Sequence, residues 1–245
     1  MRCSWCHNPE SISFQPEWLF YKEKCIGCGR CEEGCYASAK VPVGRVMTVR
    51  EVLEDVAADI PYYADQGGMT VSGGEPLCQP EFTGELLEAA KKKGIGTALE
   101  TNLCVPWDRA RHPIEQTDLL MADLKIFENA EHERWTGMPN LLVMENLQKA
   151  DSAGIPLILR TPIVPGITDS AENITAIACF AAKLKKLKYY ELLAYHPLGM
   201  NKASALGYET NRFKAPRKQH MRLLAKTAID AAGIRVAVNN VLFDS

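Results

Sequence analysis

The chain has 245 residues, of which 47% are apolar and 24% are charged. This length and composition are those of a globular protein with a core of substantial size, and they exclude a disordered or fibrous chain. Because 28 basic side chains are balanced by 30 acidic ones, we expect no nucleic-acid partner. No apolar run approaches the roughly 18 residues of a membrane span, and no signal peptide is visible, so we expect no membrane partner.

Downstream of residue 47 the predicted helices and strands alternate along the chain. The capping box Thr48-Val49-Arg50-Glu51 begins a first helix that is expected to run to about Gln66. Further helices are predicted over 80–93, 130–135, 141–153, 170–186 and 216–232. Strands are predicted over 69–72, 96–101, 119–125, 156–161, 189–195 and 235–238.

This alternation predicts βαβ units and therefore an α/β fold with a parallel sheet. An open doubly wound sheet and a closed or partly closed barrel both fit the pattern. No G-x-G-x-x-G motif follows a strand, which counts against a dinucleotide-binding fold. Several strands end in polar residues, and functional groups at the carboxyl ends of many strands are typical of a barrel. We therefore predict a barrel.

The nine cysteines are unevenly distributed, with six in the first 35 residues. A disulfide scaffold carries its cysteines throughout a short chain, so this cluster indicates metal ligation in a reducing cytoplasm. The run Cys25-x2-Cys28-x2-Cys31-x3-Cys35 has the spacing of bacterial ferredoxins, and Gly27 and Gly29 allow its tight backbone path. Four thiolates also satisfy zinc, whose ligands usually come as two separated pairs. We predict one 4Fe–4S cluster here, because no second run exists. The remaining cysteines are expected to be buried: Cys78, Cys104 and Cys179.

Four further motifs occur together in one order along the chain. Alone, each is weak, and Cys3-x2-Cys6 by itself fits half of a zinc site or a redox pair. The motifs are Arg2-Cys3-Ser4-Trp5-Cys6-His7-Asn8-Pro9-Glu10, Ser72-Gly73-Gly74-Glu75-Pro76, Asp123-Leu124-Lys125 and Glu191-Leu192-Leu193-Ala194-Tyr195-His196. In this order they make the chain resemble the radical S-adenosylmethionine enzymes, specifically the glycyl-radical enzyme activating enzymes of the pyruvate formate-lyase activator type. The resemblance extends from Met1 to about Gly207.

The resemblance implies a partial (β/α)6 TIM-like barrel that occupies residues 1–245, with an inserted ferredoxin-type segment at 22–46. The family binds its catalytic 4Fe–4S cluster through C-x3-C-x2-C, and Cys3 and Cys6 match the second and third cysteines. The first cysteine would lie two residues before Met1, and the strand that precedes the motif is missing. We therefore expect that the native polypeptide begins upstream of Met1, and that the chain as given lacks one ligand of its catalytic cluster.

Several residues acquire cofactor-binding roles through the same resemblance. Trp5 and His7 lie near the adenine of S-adenosylmethionine, and His196 contacts the cofactor from the end of a strand. Gly73 and Gly74 allow close backbone approach, and Glu75 accepts hydrogen bonds from the methionyl ammonium.

Charged residues on the predicted strands complete the expected site. Asp123 and Lys125 share one face of a strand and can address a zwitterion, although a surface ion pair is the simpler alternative. Arg160 is a charge in a buried strand and needs an anionic partner such as the methionyl carboxylate. Thr101 and Asn102 match two positions of the family's Asp-Thr-Asn-Gly motif, near a monovalent cation site. Glu100 and Leu103, on either side of these two residues, depart from that motif. The cation site is therefore not carried over to this chain.

The expected function is the installation of a glycyl radical on a partner enzyme. Reductive cleavage of S-adenosylmethionine yields a 5′-deoxyadenosyl radical that takes hydrogen from a glycine of the partner. Flavodoxin or ferredoxin is the expected electron donor. The alternatives are a radical S-adenosylmethionine enzyme that acts on a small molecule, and a non-catalytic iron–sulfur electron-transfer or zinc protein.

Overall fold

A seven-stranded sheet forms the centre of the computed structural model, which describes residues 1–31, 34–64, 67–209 and 213–243. The sheet has the strand order β3-β4-β5-β6-β7-β8-β9, and all neighbours pair in parallel except the last two. Its strands are β3 (Gly68–Val71), β4 (Gly96–Thr101), β5 (Leu119–Asp123), β6 (Leu157–Ile163), β7 (Leu187–Ala194), β8 (Val236–Val238) and β9 (Val241–Leu242). The predicted α/β fold is confirmed.

Helices connect the parallel strands, because a parallel pair cannot be joined by a tight hairpin. The connecting helices are α2 (Pro80–Lys92), α3 (Trp107–Glu115), α4 (Asn129–Thr136), α5 (Leu141–Ser152), α6 (Ala171–Ala181), α7 (Gly199–Ala205) and α8 (Lys218–Ala232). One further helix, α1 (Val49–Ala57), precedes β3. The strands β3 and β9 lie at opposite ends of the sheet and, within the described residues, do not pair with each other. The sheet is therefore an open, partial barrel.

The two faces of the sheet differ in polarity because side chains alternate along each strand. One face packs against helices and contributes large buried side chains such as Leu99, Leu120 and Tyr190 to the main hydrophobic core. The register pairs Asp123 with Arg160 and Arg160 with Glu191 on the other face. Charged groups therefore share the sheet face that is turned away from the main core.

The two strands of a separate antiparallel sheet flank the ferredoxin-type cysteines in the sequence. They are β1 (Trp18–Phe20) and β2 (Lys40–Pro42), with Leu19 opposite Val41. The four cysteines lie in the connection between these two strands. The assignment of 22–46 as an inserted segment stays a prediction, and the hairpin supplies a base on which such a segment can be built.

Some predicted boundaries and burials are wrong. The capping box of α1 is present, but the helix ends at Ala57 and is followed by a 3-10 turn at Ile60–Tyr62, where Pro61 lacks the N–H that an α-helix needs. The predicted end at Gln66 lies outside the described residues. Cys78 and Cys179 are exposed rather than buried, whereas Cys104 is half-buried.

The sequence prediction also omitted α3. This helix begins just after Pro106 and contains Pro113, a residue that weakens a helical pattern. Pro113 removes one hydrogen bond near the end of the helix, and burial of Pro113 and Ile114 offsets that loss. In the described ranges, none of the helices is long and apolar enough to cross a membrane.

Candidate active site

The N-terminal residues 1–11, here called the cluster loop, lie across the end of α4. The backbone N–H of Arg2 donates to the Thr136 carbonyl at 2.7 Å, and that of Ser4 donates to the Trp135 carbonyl at 3.1 Å. These carbonyls belong to the last turn of α4, where no further helical N–H groups are available to bind them. Gly137 ends the helix in the left-handed conformation, with φ of 74°. The free end of a helix thus holds the residues on both sides of Cys3.

Cys3 and Cys6 lie close together within this loop. The Cys6 N–H donates to the Cys3 carbonyl at 3.0 Å, which closes a tight turn between the two thiols. Burial raises the pKa of Cys3, and the nearby Lys125 ammonium opposes that effect. Burial likewise raises the pKa of Cys6. Two adjacent thiols beside a buried cation fit the chemistry of an anionic iron–sulfur cluster, because metal binding requires both sulfurs as thiolates.

Aromatic residues from both ends of the chain surround this turn. Trp5 is buried in a small cluster with Ile126, Val164 and Tyr195. The ring of His7 stacks on that of His196, with centroids 4.0 Å apart and planes 16° apart. Burial lowers the pKa of His7, and the His196 ring lowers it further. The fold therefore brings together three of the predicted cofactor-binding residues: Trp5, His7 and His196.

The glycine turn that follows β3 lies against the cluster loop. Gly73 has φ of 134°, a conformation that other residues rarely adopt, and its carbonyl accepts a hydrogen bond from Asn8 Nδ2 at 2.9 Å. A Cβ atom at Gly74 would overlap the Ser11 side chain. Both glycines are thus required for the cluster loop to pack on the turn.

Glu75 connects this turn to the end of β4. Its Oε1 accepts hydrogen bonds from Thr101 Oγ1 at 2.5 Å and from the Leu77 N–H at 3.0 Å. Its Oε2 accepts from the Asn102 N–H at 2.7 Å. Burial raises the pKa of Glu75, and these hydrogen bonds oppose that effect. A carboxylate has about four acceptor positions, so one position is left for a ligand ammonium.

Thr101 and Asn102 shape the loop after β4. Asn102 Oδ1 accepts from the Cys104 N–H at 2.9 Å, and Thr101 Oγ1 accepts from the Leu103 N–H at 3.0 Å. Leu103 stands where the family motif has glycine, and it adopts φ of 53° while its side chain is fully buried. The left-handed backbone conformation costs an ordinary residue about 1 kcal/mol or more. Burial of the leucine side chain offsets this cost.

Asp123 and Lys125 form a buried ion pair, with 2.6 Å between Asp123 Oδ2 and Lys125 Nζ. Lys125 is only 7% exposed, so the alternative of a surface pair is wrong. Burial acts to lower the pKa of Lys125, but the charges of Asp123 and Cys3 outweigh it and raise that pKa. The pair lies beside the cluster loop and can present both signs of charge to a zwitterionic ligand.

Arg160 has two anionic partners within the protein. Its Nη1 atom lies 2.8 Å from Glu100 Oε1, and its Nε atom lies 3.3 Å from Glu191 Oε2. Glu191 is only 1% exposed, and its Oε1 also accepts from the Asn240 N–H at 2.6 Å. Sequence reasoning missed these pairs, because only the strand order places Glu191 beside Arg160 on the adjacent strand and brings Glu100 near it from β4. The remaining guanidinium donors are available to a ligand carboxylate.

The four ferredoxin-type cysteines line a single pocket. Its lining includes Phe20 and Lys40 from the hairpin together with Cys25, Cys28, Cys31 and Cys35. The Ala39 N–H donates to Cys35 Sγ at 3.3 Å, and backbone N–H groups of Lys40 and Ala39 lower the pKa of Cys35. Such N–H···S bonds are a feature of iron–sulfur sites, where they influence the reduction potential. In the described ranges, no three His, Cys, Asp or Glu side chains are grouped as ligands of one metal ion.

Comparison with known proteins identifies the family. The family model of the radical SAM superfamily matches residues 1–176. The chain belongs to the radical SAM superfamily. It is 34% identical to the indoleacetate decarboxylase activating enzyme of Tractidigestivibacter scatoligenes, over 98% of this chain and 89% of the relative. It is 32% identical to the (2S)-3-sulfopropanediol dehydratase activating enzyme of Klebsiella oxytoca, over 92% of this chain and 84% of the relative.

A solved structure supports the same assignment within the radical SAM superfamily. A domain of a pyruvate formate-lyase activating enzyme from Bacteroides vulgatus ATCC 8482 aligns with a TM-score of 0.60 and 25% identity, over 71% of this chain and 99% of that one. These relatives are activating enzymes of glycyl-radical enzymes. The family uses a 4Fe–4S cluster and S-adenosylmethionine, and activating enzymes of this kind also carry auxiliary clusters.

The bonds of Glu75 lead to a first prediction for this radical SAM enzyme. We expect Glu75→Gln to lower the free energy of unfolding by about 1–3 kcal/mol, because a glutamine has one acceptor oxygen for three buried donors. Urea denaturation measures the change. Glu88→Gln is the matched control, because Glu88 forms an exposed pair with Lys92 on α2. Equal stability of the two variants would contradict the role of Glu75 as a structural link.

Proposed function

We propose that this chain installs a glycyl radical on a separate glycyl-radical enzyme in the cytoplasm, with the residues assembled beside the cluster loop as its active site. When bound, the catalytic cluster supplies the electron that cleaves S-adenosylmethionine. The observation that carries this proposal is the stacking of His7 on His196 at 4.0 Å, which joins the cysteine turn to the end of β7. Cys3 and Cys6 would be cluster ligands.

Each remaining group of residues would bind one part of S-adenosylmethionine. Trp5, His7 and His196 would lie around the adenine. The free acceptor position of Glu75, on the turn formed by Gly73 and Gly74, would bind the methionyl ammonium. Two groups of residues would orient the amino acid end of the cofactor. The loop after β4 would contribute Thr101 and Asn102, and the charged groups would be Asp123, Lys125 and Arg160. Glu100 and Glu191 occupy only part of the guanidinium of Arg160, and its remaining N–H donors would bind the methionyl carboxylate.

An assay of S-adenosylmethionine cleavage tests the proposal. The protein is reconstituted anaerobically with iron and sulfide, reduced with dithionite, and analysed for 5′-deoxyadenosine. The chain as given is compared with the same chain extended by a cysteine two residues before Met1, and we expect cleavage in the extended form. A filled cluster without any 5′-deoxyadenosine would instead favour a non-catalytic electron-transfer protein.

The partner and the electron donor require separate tests. The two relatives are named for activating a decarboxylase and a dehydratase, so the feature common to their partners is the radical-bearing glycine. We expect the glycyl-radical enzyme encoded beside this gene to develop a glycyl-radical EPR signal when incubated with the reconstituted protein. Flavodoxin or ferredoxin, reduced by its own reductase, should replace dithionite in this reaction. A small-molecule substrate is the less favoured alternative, because the relatives act on proteins.

The four cysteines of the hairpin pocket would bind one auxiliary 4Fe–4S cluster. We expect Cys28→Ala combined with Cys31→Ala to reduce the iron and sulfide content by one four-iron cluster, because two of four ligands are removed. The control is Cys78→Ala combined with Cys179→Ala, since both of these cysteines are exposed and lie outside the pocket. Unchanged iron content, or stoichiometric zinc in the isolated protein, would contradict the auxiliary cluster.

A further inference from the structure

Helix α7 is packed directly against the cluster loop. A Cβ atom at Gly199, the first residue of the helix, would lie 2.6 Å from the Cys6 carbonyl oxygen and 2.8 Å from His7 Cα. Real Cβ atoms do not approach other atoms so closely, so only glycine permits this contact. The backbone of the cysteine turn therefore rests on the start of α7.

A lysine on the same helix reaches the far end of the cluster loop. Lys202 Nζ forms an ion pair with Glu10 and donates a hydrogen bond to Asn8 Oδ1 at 3.1 Å. The other carboxylate oxygen of Glu10 is buried and has no hydrogen-bond partner within the described residues. Lys202 is thus the cation that compensates a largely buried carboxylate, and it also contacts the residue two positions after Cys6.

The side chain of Asn8 joins this lysine to the glycine turn. Its Oδ1 accepts from Lys202, and its Nδ2 donates to the Gly73 carbonyl at 2.9 Å. The orientation of the amide is determined by these partners, because an ammonium can only donate and a carbonyl can only accept. One continuous chain of hydrogen bonds therefore links α7, the cluster loop and the turn at Gly73.

We propose that Asn8 and Lys202 are positioning residues that hold the cysteine turn at a constant distance from the Gly73–Glu75 turn. Cys6 would bind the cluster and Gly73–Glu75 would bind the methionyl group, so the two turns must keep one spacing for the cofactor to reach the cluster. Neither Asn8 nor Lys202 needs to touch the cofactor for this role. The inference rests on the proposed function, because it takes those two turns as the two halves of the active site.

A simpler role is that Lys202 only neutralises Glu10. The two roles differ in which variant affects cofactor binding. Asn8→Ala breaks the link between the turns but keeps the ion pair of Lys202 with Glu10. Glu10→Gln removes the charge of the pair but keeps both hydrogen bonds of Asn8. If neutralisation were the whole role, Glu10→Gln would remove the need for the lysine and Asn8→Ala would leave cofactor binding unchanged.

Binding of S-adenosylmethionine to the anaerobically reconstituted, cysteine-extended protein is the first measurement, made by equilibrium dialysis. We expect Asn8→Ala to raise the Kd by about tenfold, the effect of losing a hydrogen bond to a charged group. Glu10→Gln should leave the Kd within about twofold of the parent value, with iron content equal in all variants. The matched control is Lys91→Met, because Lys91 has nearly the same side-chain exposure as Lys202, 37% against 36%, and pairs with Asp118 at 2.9 Å.

Lys202→Met alone could unfold the loop by leaving Glu10 without a counter-ion, so the lysine is tested in the double variant Lys202→Met/Glu10→Gln. This variant should raise the Kd to the same degree as Asn8→Ala. Adding Asn8→Ala to it should produce no further increase, because all these changes act through one junction. A Kd that rises additively in the triple variant would overturn the proposal.

Hydrogen exchange of the cluster-free chain provides a measurement that needs neither cluster nor cofactor. Asn8→Ala should speed exchange in both 6–12 and 72–76, whereas Lys91→Met should change neither segment. Faster exchange in 6–12 alone, or an unchanged Kd, would overturn the proposal. If the parent protein does not bind S-adenosylmethionine at all, the proposed function fails, and the exchange data still decide whether the two turns are coupled.

Discussion

Replacing Cys3 and Cys6 together by alanine is expected to abolish the cleavage of S-adenosylmethionine in the extended protein. Two of the three proposed ligands of the catalytic cluster are then lost, and a cluster held by one thiolate is not retained. The iron content should fall by one four-iron cluster, and 5′-deoxyadenosine should fall to the background of the assay. The auxiliary cluster should remain, because its pocket is built by the hairpin of β1 and β2.

The control for this variant is Cys104→Ala. Cys104 is half-buried, as are Cys3 and Cys6, but it lies in the loop after β4 and contacts the Pro139 carbonyl. Its replacement removes a sulfur of similar burial without removing a proposed ligand. Cleavage that survives in the double variant at the parent rate would refute the assignment of Cys3 and Cys6.

Arg160→Met is expected to cause the largest loss of stability among the substitutions considered. The guanidinium lies between the carboxylates of Glu100 and Glu191, and Glu191 is almost completely buried. Removing one member of a buried ion pair leaves an uncompensated charge, which costs about 3–5 kcal/mol. Urea denaturation of the cluster-free protein should show this decrease in the free energy of unfolding.

Two further variants separate charge from packing. Arg160→Met/Glu191→Gln should recover part of the lost stability, because the buried carboxylate is removed with its partner. Arg111→Met should have little effect, since the pair of Arg111 with Glu115 is exposed on α3. If the double variant is as unstable as Arg160→Met, the loss comes from side-chain packing and not from the unpaired carboxylate.

The structure changes what is expected of two charged residues in the site, Glu75 and Arg160. From the sequence, Glu75 is expected to bind the ammonium of a ligand, and Arg160 is expected to bind its carboxylate. In the structure both already have protein partners: Glu75 binds the loop after β4, and Arg160 binds Glu100 and Glu191. Their cofactor-binding roles stay predictions, and in such roles the ligand would be added to an existing network.

The sequence by itself determined the features that depend on spacing along the chain. Alternating apolar residues, a capping box and strand-ending polar residues predicted most elements of the parallel sheet, including β4 over Gly96–Thr101 without error. The cysteine spacing predicted two separate sets of ligands. These features are local, because they follow from the period of a helix or strand and from the reach of a few consecutive residues.

The tertiary structure alone decided which distant residues meet. The pairing of β1 with β2, the contact of Arg160 with Glu100, and the junction of Lys202, Asn8 and Gly73 all join segments that are well separated in sequence. The contact of Arg160 with Glu100 depends on strand order, and the junction at Asn8 depends on the packing of α7 against the cluster loop. No local pattern encodes either arrangement. The charge of a residue can thus be predicted from the sequence, whereas its partner is determined only when the chain has folded.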